Sequence, residues 1–217
     1  YDASGTAVGT QFQVNTTTTF DQINPAIAVL TDGSYVVTWQ SGNQDGDTWG
    51  IYGQHFAADG TRIAGEFQVN TTTADEQKVP AIAALANGGW VVTWTSSNQD
   101  GDGLGVYGQA FDATGQATGP EIQIDDVTQY DQLNSTVTGL QNGGFAAGYE
   151  SFLQDGDSYG IFLRFFNGST PVNHAPTAVA DTASGSQDQT LTVDVLANDT
   201  DPDLGTVLTL TNVTGTS

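Results

Sequence analysis

Four short runs of apolar and polar residues recur along the chain, and each reads as a β-strand bounded by turn residues. In the first unit they are FQVN (Phe12 to Asn15), PAIAVL (Pro25 to Leu30), SYVVTWQ (Ser34 to Gln40) and GIYGQHF (Gly50 to Phe56). The third run alternates Tyr35, Val37 and Trp39 with Val36, Thr38 and Gln40, which predicts one large-residue face packed inward. The second is small and apolar on both faces, the pattern of a strand lying in the middle of packed layers. Asp32-Gly33 and Asn87-Gly88 suit a tight hairpin between the second and third strands, and Asp59-Gly60 and Thr114-Gly115 suit the turn that follows the fourth, because these residues tolerate positive φ.

The four-strand unit repeats with a period of 55 residues and no slip: Asp45, Asp100 and Asp155 fall in register, as do Trp39, Trp94 and Tyr149, and Gly50, Gly105 and Gly160. Tyr1 is in register with Phe56, Phe111 and Phe166, so residues 1–10 read as the tail of an upstream copy. Three copies follow, at 11–65, 66–120 and 121–172. The expected fold is all-β, built of tandem four-stranded antiparallel repeats that are either propeller-blade-like or the lobes of a three-lobed prism or trefoil. From residue 173 the character changes to a proline-marked linker and short strands around an Asp-rich loop. Residues 173–217 are too few for a whole sandwich of roughly 100 residues and read as a partial Ig-like β-sandwich segment.

Charge narrows the function. The chain holds 25 Asp and Glu against 3 Lys and Arg, for a net charge of -22. Nothing in it can neutralise phosphates, which excludes nucleic acid. The same sign excludes an anionic membrane surface, and no apolar run has the length of a membrane span. With no cysteine, disulfides and thiolate zinc sites are excluded. A globular chain this acidic calls for counter-ions, and Asp with backbone carbonyls is what hard divalent cations select.

Three loops carry the pattern for such an ion: NQDGDTWG, NQDGDGLG and LQDGDSYG. Asp-Gly-Asp lets the backbone aim two carboxylates at one point, so Asp45 with Asp47, Asp100 with Asp102, and Asp155 with Asp157 are candidate calcium ligands, joined by Asn43 and Asn98 as neutral ones. In the third copy Leu153 replaces the Asn. A second reading stays open, in which Asp-Gly is a hairpin turn and the second Asp is solvated. Asp21-Gln22, Glu76-Gln77 and Asp131-Gln132 either supply a further ligand or bond backbone N–H groups. Near the C-terminus Asn198, Asp199, Asp201 and Asp203 crowd four oxygen side chains into six residues, a stronger cation signal. Trp49 and Tyr159 flank the Asp-Gly-Asp loops, where a ring could stack on a sugar beside the ion or cap the repeat core.

Catalysis has little support. His55 is replaced by Ala110 and Leu163 in the other copies, His174 sits in the linker, Glu150 is an acid at one strand end, and no nucleophile-elbow, phosphate-cradling or histidine-pair zinc motif is present. The expectation is that the chain is no enzyme.

The FQVNT, PAIAxLxxGxxVVTW and QDGDxxGxYGQxFD motifs, over residues 1 to about 170, resemble tandem repeats of very large type-I-secreted, RTX-associated bacterial surface and adhesin proteins. NHAPTAVADTA through DVLANDTDPD resembles the cadherin-like, VCBS-type Ig repeats of the same proteins, although Leu204 and Gly205 stand where those repeats read a further Gly-Asp. The resemblance implies an extracellular, calcium-bound structural or adhesive module at the bacterial cell surface. Expected partners are calcium, cell-surface glycans or neighbouring copies of the same protein. A calcium-assisted, lectin-like carbohydrate-binding module is the alternative.

Overall fold

The computed structural model describes residues 4–6, 9–167, 177–182 and 194–200. Two compact units divide the chain, Tyr1–Asn167 and Gly168–Ser217. The first is all-β. Its eleven described strands form three antiparallel sheets, in the orders β1-β2-β3-β4, β5-β6-β7-β8 and β9-β10-β11. The first sheet comprises β1 (Gln22–Val29), β2 (Tyr35–Gly42), β3 (Trp49–Phe56) and β4 (Arg62–Gln68). The second comprises β5 (Gln77–Ala84), β6 (Trp90–Ser97), β7 (Leu104–Phe111) and β8 (Ile122–Gln123), and the third β9 (Gln132–Gly139), β10 (Phe145–Phe152) and β11 (Tyr159–Phe166).

Sheet and sequence copy are out of phase. The FQVN motif that opens the second copy does not begin the second sheet: Phe67 and Gln68 pair with Gly53 and Tyr52, so the motif closes the sheet before it. Ile122 and Gln123 do the same on Gly108 and Tyr107. Phe12–Asn15, the first such run, lies in no sheet among the described residues.

The sheets pack face to face, and the packing is periodic. Leu30, Val36, Ile51 and Val69 from the first sheet and its continuation meet Trp90, Val92, Trp94, Tyr107 and Phe111 of the second. Shifted by 55 residues, Leu85, Val91, Val106 and Ile124 meet Phe145, Ala147 and Tyr149 of the third. The middle sheet is therefore covered on both faces, and Trp90 through Ser96 are all buried. This corrects the expectation of one inward face on that strand. Alternation of large and small residues marks which neighbour a side chain meets, not whether it is buried. The second sequence run, expected mid-layer, forms the edge strand of each sheet instead. β1 runs beside β5 and β5 beside β9, and Gly139 lies so close to Ala84 that a Cβ would fall 2.0 Å from its carbonyl oxygen. Among the described residues the three sheets form an open, blade-like array and no closed three-lobed ring; Val14 packs on the Val37, Trp39, Tyr52 and Phe56 cluster at one end, and Ile161, Leu163 and Phe165 stand exposed at the other.

One aromatic pair is common to all three sheets. Tyr35 and Phe56 stand opposite each other on β2 and β3 with ring centroids 5.1 Å apart, Trp90 and Phe111 at 5.5 Å, and Phe145 and Phe166 at 4.6 Å. Each β1-type strand also carries an irregularity near its start, with Asn24, Val79 and Asn134 at φ of 54°, 54° and 53°. For the β-branched Val79 that conformation is strained.

A buried amide clamp ends the FQVN motif of the second copy. Asn70 accepts the Ile51 N–H through Oδ1 at 2.7 Å and donates through Nδ2 to Thr72 O at 2.8 Å and Gln77 Oε1 at 3.0 Å. The next copy holds Asp125 there, 1 % exposed. It accepts the Val106 N–H at 2.6 Å but has no N–H to give, and Gln132 Oε1 is left buried without a partner. Burial holds the Asp125 carboxyl above its ordinary range, with the Val106 and Gln123 donors pulling the other way. Asp125→Asn restores the donor and removes the buried charge, so the protein gains about 1–3 kcal/mol at neutral pH. A carboxyl raised on folding costs stability only where it is ionised, so urea titrations will show the gain shrinking as pH falls through the raised value and the ionisation part vanishing below the ordinary carboxylate range.

Candidate functional site

All three Asp-Gly-Asp loops join a β2-type strand to a β3-type strand and so lie at one end of the array, beside the segments that precede β1, β5 and β9. Asn43, Asn98 and Leu153 open them in the left-handed region, at φ of 54°, 56° and 59°, a conformation that a short amide side chain tolerates. Asn43 N–H then bonds Thr48 O, and Asn98 N–H bonds Gly103 O. The glycine between the aspartates sits at φ near 100° in each copy.

The two aspartates do different work. The first folds back on its own loop: Asp45, Asp100 and Asp155 accept the N–H of Asp47, Asp102 and Asp157 through Oδ1 at 3.2, 3.3 and 3.3 Å. Its other oxygen lies over the next glycine of the motif. A Cβ on Gly50, Gly105 or Gly160 would stand 2.3, 3.0 or 2.6 Å from that Oδ2, which explains the glycine at the end of QDGDxxG. In the first two copies this Oδ2 is buried without a hydrogen-bond partner. It faces a tyrosine ring, and burial followed by the charges of Asp45 and Asp100 pushes the phenols of Tyr52 and Tyr107 up to about 12.

The second aspartate reaches the neighbouring repeat. Asp47 Oδ2 accepts the Asp75 N–H at 2.9 Å, and Asp102 Oδ2 accepts the Tyr130 N–H at 3.1 Å. Asp131 returns the contact by accepting the Leu104 N–H at 3.1 Å. The Gln of the Asp/Glu-Gln pairs ties the loop ahead of its own strand: Gln22 donates to Thr19 O, Gln77 to Ala74 O and Gln132 to Gln129 O, at 2.7 to 2.8 Å. Asn98 donates to Asp75 Oδ2 at 3.3 Å. Among the described residues no group of three or more His, Asp or Glu side chains converges as metal ligands would. Of the buried carboxylate oxygens at these loops, Asp45 Oδ2 and Asp100 Oδ2 have no hydrogen-bond partner.

Sequence reasoning missed the strongest of these links. Glu66 Oε2 accepts the Thr16 N–H at 2.7 Å, the Thr16 hydroxyl at 3.0 Å and the Thr17 N–H at 3.3 Å, while Oε1 takes the Gln44 amide at 2.5 Å. Glu121 repeats the arrangement on Thr71, Thr72 and Gln99. Burial alone would raise the Glu66 carboxyl, but these donors, the Thr16 N–H foremost, hold it below its ordinary value. The available signal was that two of only four glutamates occupy the same repeat position.

Trp49 lines a cleft with Phe20, Asp21, Gly42, Asn43, Thr48 and Glu76, where the first repeat's loop meets the segment ahead of β5. Tyr159, half exposed, packs on Phe152 at 5.0 Å. His55 is buried, its Nε2 lies 3.0 Å from Ser34 Oγ and its ring sits edge-on to Trp90; burial lowers its pKa. Glu150 stands between Leu133 and Ile161 on β10. In the second unit Asp199 Oδ1 accepts the Val179 N–H at 2.8 Å, and Asn198 is exposed. Asp201, Asp203 and His174 lie outside the described residues.

Residues 173–217 match the bacterial Ig domain family, in line with the Ig-like reading of that segment. No curated protein matches the chain in sequence. Several solved structures are similar in fold. A protein of unknown function from Dyadobacter fermentans is 11% identical with a TM-score of 0.52, over 70% of this chain and 53% of its own. An endo-arabinase from Bacteroides thetaiotaomicron is 13% identical with a TM-score of 0.45, over 74% of this chain and 59% of its own. A fucose lectin from Kordia zhangzhouensis, solved with methyl-fucoside, is 10% identical with a TM-score of 0.40, over 68% of this chain and 99% of its own. The chain thus spans little more than half the length of the first two. No helix among the described residues is long and apolar enough to cross a membrane.

These contacts separate the two aspartates experimentally. Asp47→Ala removes the acceptor for the Asp75 N–H and lowers stability by about 1 kcal/mol in chelator-containing buffer, whereas Asp47→Asn keeps an acceptor and stays within about 0.5 kcal/mol of wild type. Gly50→Ala drives a methyl group into the Asp45 carboxylate and costs about 1–3 kcal/mol. Chemical denaturation of the three variants checks both statements.

Proposed function

We propose that the chain is a structural or adhesive repeat module of a large bacterial surface or secreted protein, stabilised outside the cell by calcium. The observation that carries this reading is the use made of the motif residues: Glu66, Glu121, Asp47 and Asp102 all spend their carboxylates on backbone N–H groups of an adjoining repeat or of the loop ahead of its own sheet. Residues spent in this way stiffen a stack; they do not face a substrate. The Ig match at 173–217 adds a second module of the kind that builds extracellular rods, and the sequence resemblance to RTX-associated repeats points the same way.

Calcium enters through electrostatics. With a net charge of -22 the chain repels itself, and at the loops the Oδ2 atoms of Asp45 and Asp100 are buried with no hydrogen-bond partner. One unpartnered carboxylate oxygen per loop is fewer than a calcium ion needs, so the second aspartate's remaining oxygen, carbonyls and water would complete each site. Extracellular modules bind the ion at about 0.1–1 mM, and a tenfold excess stabilises each site by about 1.4 kcal/mol. Melting in 10 mM calcium and in chelator is expected to differ by several degrees for a domain of this size. Equal midpoints would remove the calcium part of the proposal and leave the structural part standing.

A second reading, a carbohydrate-binding module, is favoured by the Trp49 cleft, where an indole ring lies near Asp21 and Glu76, the pairing of an apolar platform with acceptors that a sugar ring needs. Glycan-array screening of wild type and Trp49→Ala decides between the two: saturable binding lost in the variant would establish the sugar module.

A further inference from the structure

Three rings stand in a row at the loop end of the third repeat. Phe152 lies between Tyr130 and Tyr159, its ring centroid 6.2 Å from the first and 5.0 Å from the second. Tyr130 is 49 % and Tyr159 50 % exposed, so both outer rings face solvent. Neither other copy holds such a row: Phe152 is in register with Gly42 and Ser97, Tyr130 with Phe20 and Asp75, and Tyr159 with Trp49 and Leu104. The next residue, Leu153, stands where the other copies carry Asn43 and Asn98. Aromatic and apolar residues are thus gathered at the one Asp-Gly-Asp loop that lacks the neutral oxygen ligand.

Packing accounts for Phe152, the half-buried middle ring, but not for the outer two. Tyr130 sits at φ 65°, a conformation that a short polar residue such as Asp75 tolerates and a bulky one disfavours, and half of its side chain remains in water. The backbone there is fixed from the second repeat: Asp102 Oδ2 accepts the Tyr130 N–H at 3.1 Å, and the adjoining Asp131 accepts the Leu104 N–H at 3.1 Å. A ring held in an unfavourable conformation and left half exposed is placed for contact with something outside the repeat.

Charge narrows what that something is. Asp155 and Asp157, on the loop that leads into Tyr159, are exposed, and Asp131 adjoins Tyr130. The chain's three cations are engaged elsewhere, Lys78 with Glu76 and Arg62 and Arg164 with main-chain carbonyls. The row therefore offers ring faces and acceptors but no charged donor. An anionic sugar would be repelled. An ammonium group brings three donors and no acceptor, and the negative faces of the rings attract it as the carboxylates do. We infer that Tyr130, Phe152 and Tyr159 form a second sugar platform, selective for amino sugars that carry a free ammonium group. The C–H face of such a sugar covers the rings while its ammonium meets the aspartates. This inference rests on the carbohydrate-binding reading of the Trp49 cleft, which it extends from one site to two.

Calorimetric titration of the 217-residue chain with the tetramer of β-1,4-linked glucosamine tests this, at mildly acidic pH, where the amines are charged and the carboxylates ionised, and at about 0.15 M salt. Tyr130→Ala and Tyr159→Ala are each expected to weaken binding about tenfold or more, whereas Tyr159→Phe keeps the ring and the affinity. Both tyrosines are half exposed, so the circular dichroism spectrum should stay that of wild type. The N-acetylated tetramer, which has no ammonium, should bind about tenfold more weakly. Trp49→Ala should still bind the tetramer through the row, which separates this site from the cleft. Binding that neither tyrosine substitution alters is charge attraction alone and overturns the inference. Equal affinity for the N-acetylated tetramer overturns it too, as does equal affinity for tetralysine, which would make the row a protein-docking surface. A wild-type chain that binds no glucosamine tetramer also overturns it, while the reading of the cleft falls only if the glycan array shows no binding that depends on Trp49.

Discussion

A four-stranded sheet from this chain has two apolar faces and cannot bury either by itself. Everything else follows from that constraint. Large rings on one face (Trp90, Trp94, Phe111) require aliphatic residues of the preceding repeat (Leu30, Val36, Ile51, Val69) opposite them, and the same pairing recurs one period later. Stability in such an array is a sum of sheets and nearest-neighbour junctions, so the junction, not the sheet, is the unit that the sequence repeats. The out-of-phase boundary is a direct consequence. A strand that belongs to one sheet by hydrogen bonding and to the next copy by sequence links the two, since its Phe packs forward while its backbone pairs backward.

Electrostatics are handled within the same scheme. Three cations cannot neutralise 25 acids, and the two arginines do not try: Arg62 donates to the Gln13 carbonyl at 2.6 Å and Arg164 to those of Ile124 and Asp125 at 3.0 Å. Lys78 with Glu76 is the one salt bridge among the described residues. Carboxylates are answered mainly by backbone N–H groups, at Asx turns such as Asp32, Asp59 and Asp112 and at the inter-repeat links of Glu66 and Glu121. Hydrogen bonds to an ionised acceptor are roughly twice as strong as neutral ones. An acid placed to tie two repeats together therefore contributes cohesion while adding charge.

Where the third copy drifts, the physical reasons can be read from its neighbours. Gly53 and Gly108 lie beneath Phe67 and Ile124, which leave no room for a side chain; Leu163 takes that place where no fourth strand lies over it among the described residues. Asp125 in place of Asn70 breaks an amide clamp and strands Gln132.

Period, the last three strands of each copy, the turns at Asp32-Gly33 and Asp59-Gly60, and the shared position of the Asp-Gly-Asp loops between two strands were legible in the chain by itself, because hydrophobic alternation and turn chemistry are local and a 55-residue repeat displays each of them more than once. What a residue's oxygen touches is not local. Glu66 meets Thr16 from 50 residues away and Asp47 meets Asp75 from 28, and no spacing rule separates an aspartate that accepts a neighbour's N–H from one that holds an ion. Tertiary structure alone decided that both faces of the central strands are covered, that FQVN closes the sheet before it, and that three sheets leave an open array, since each of these depends on how one repeat is rotated onto the next.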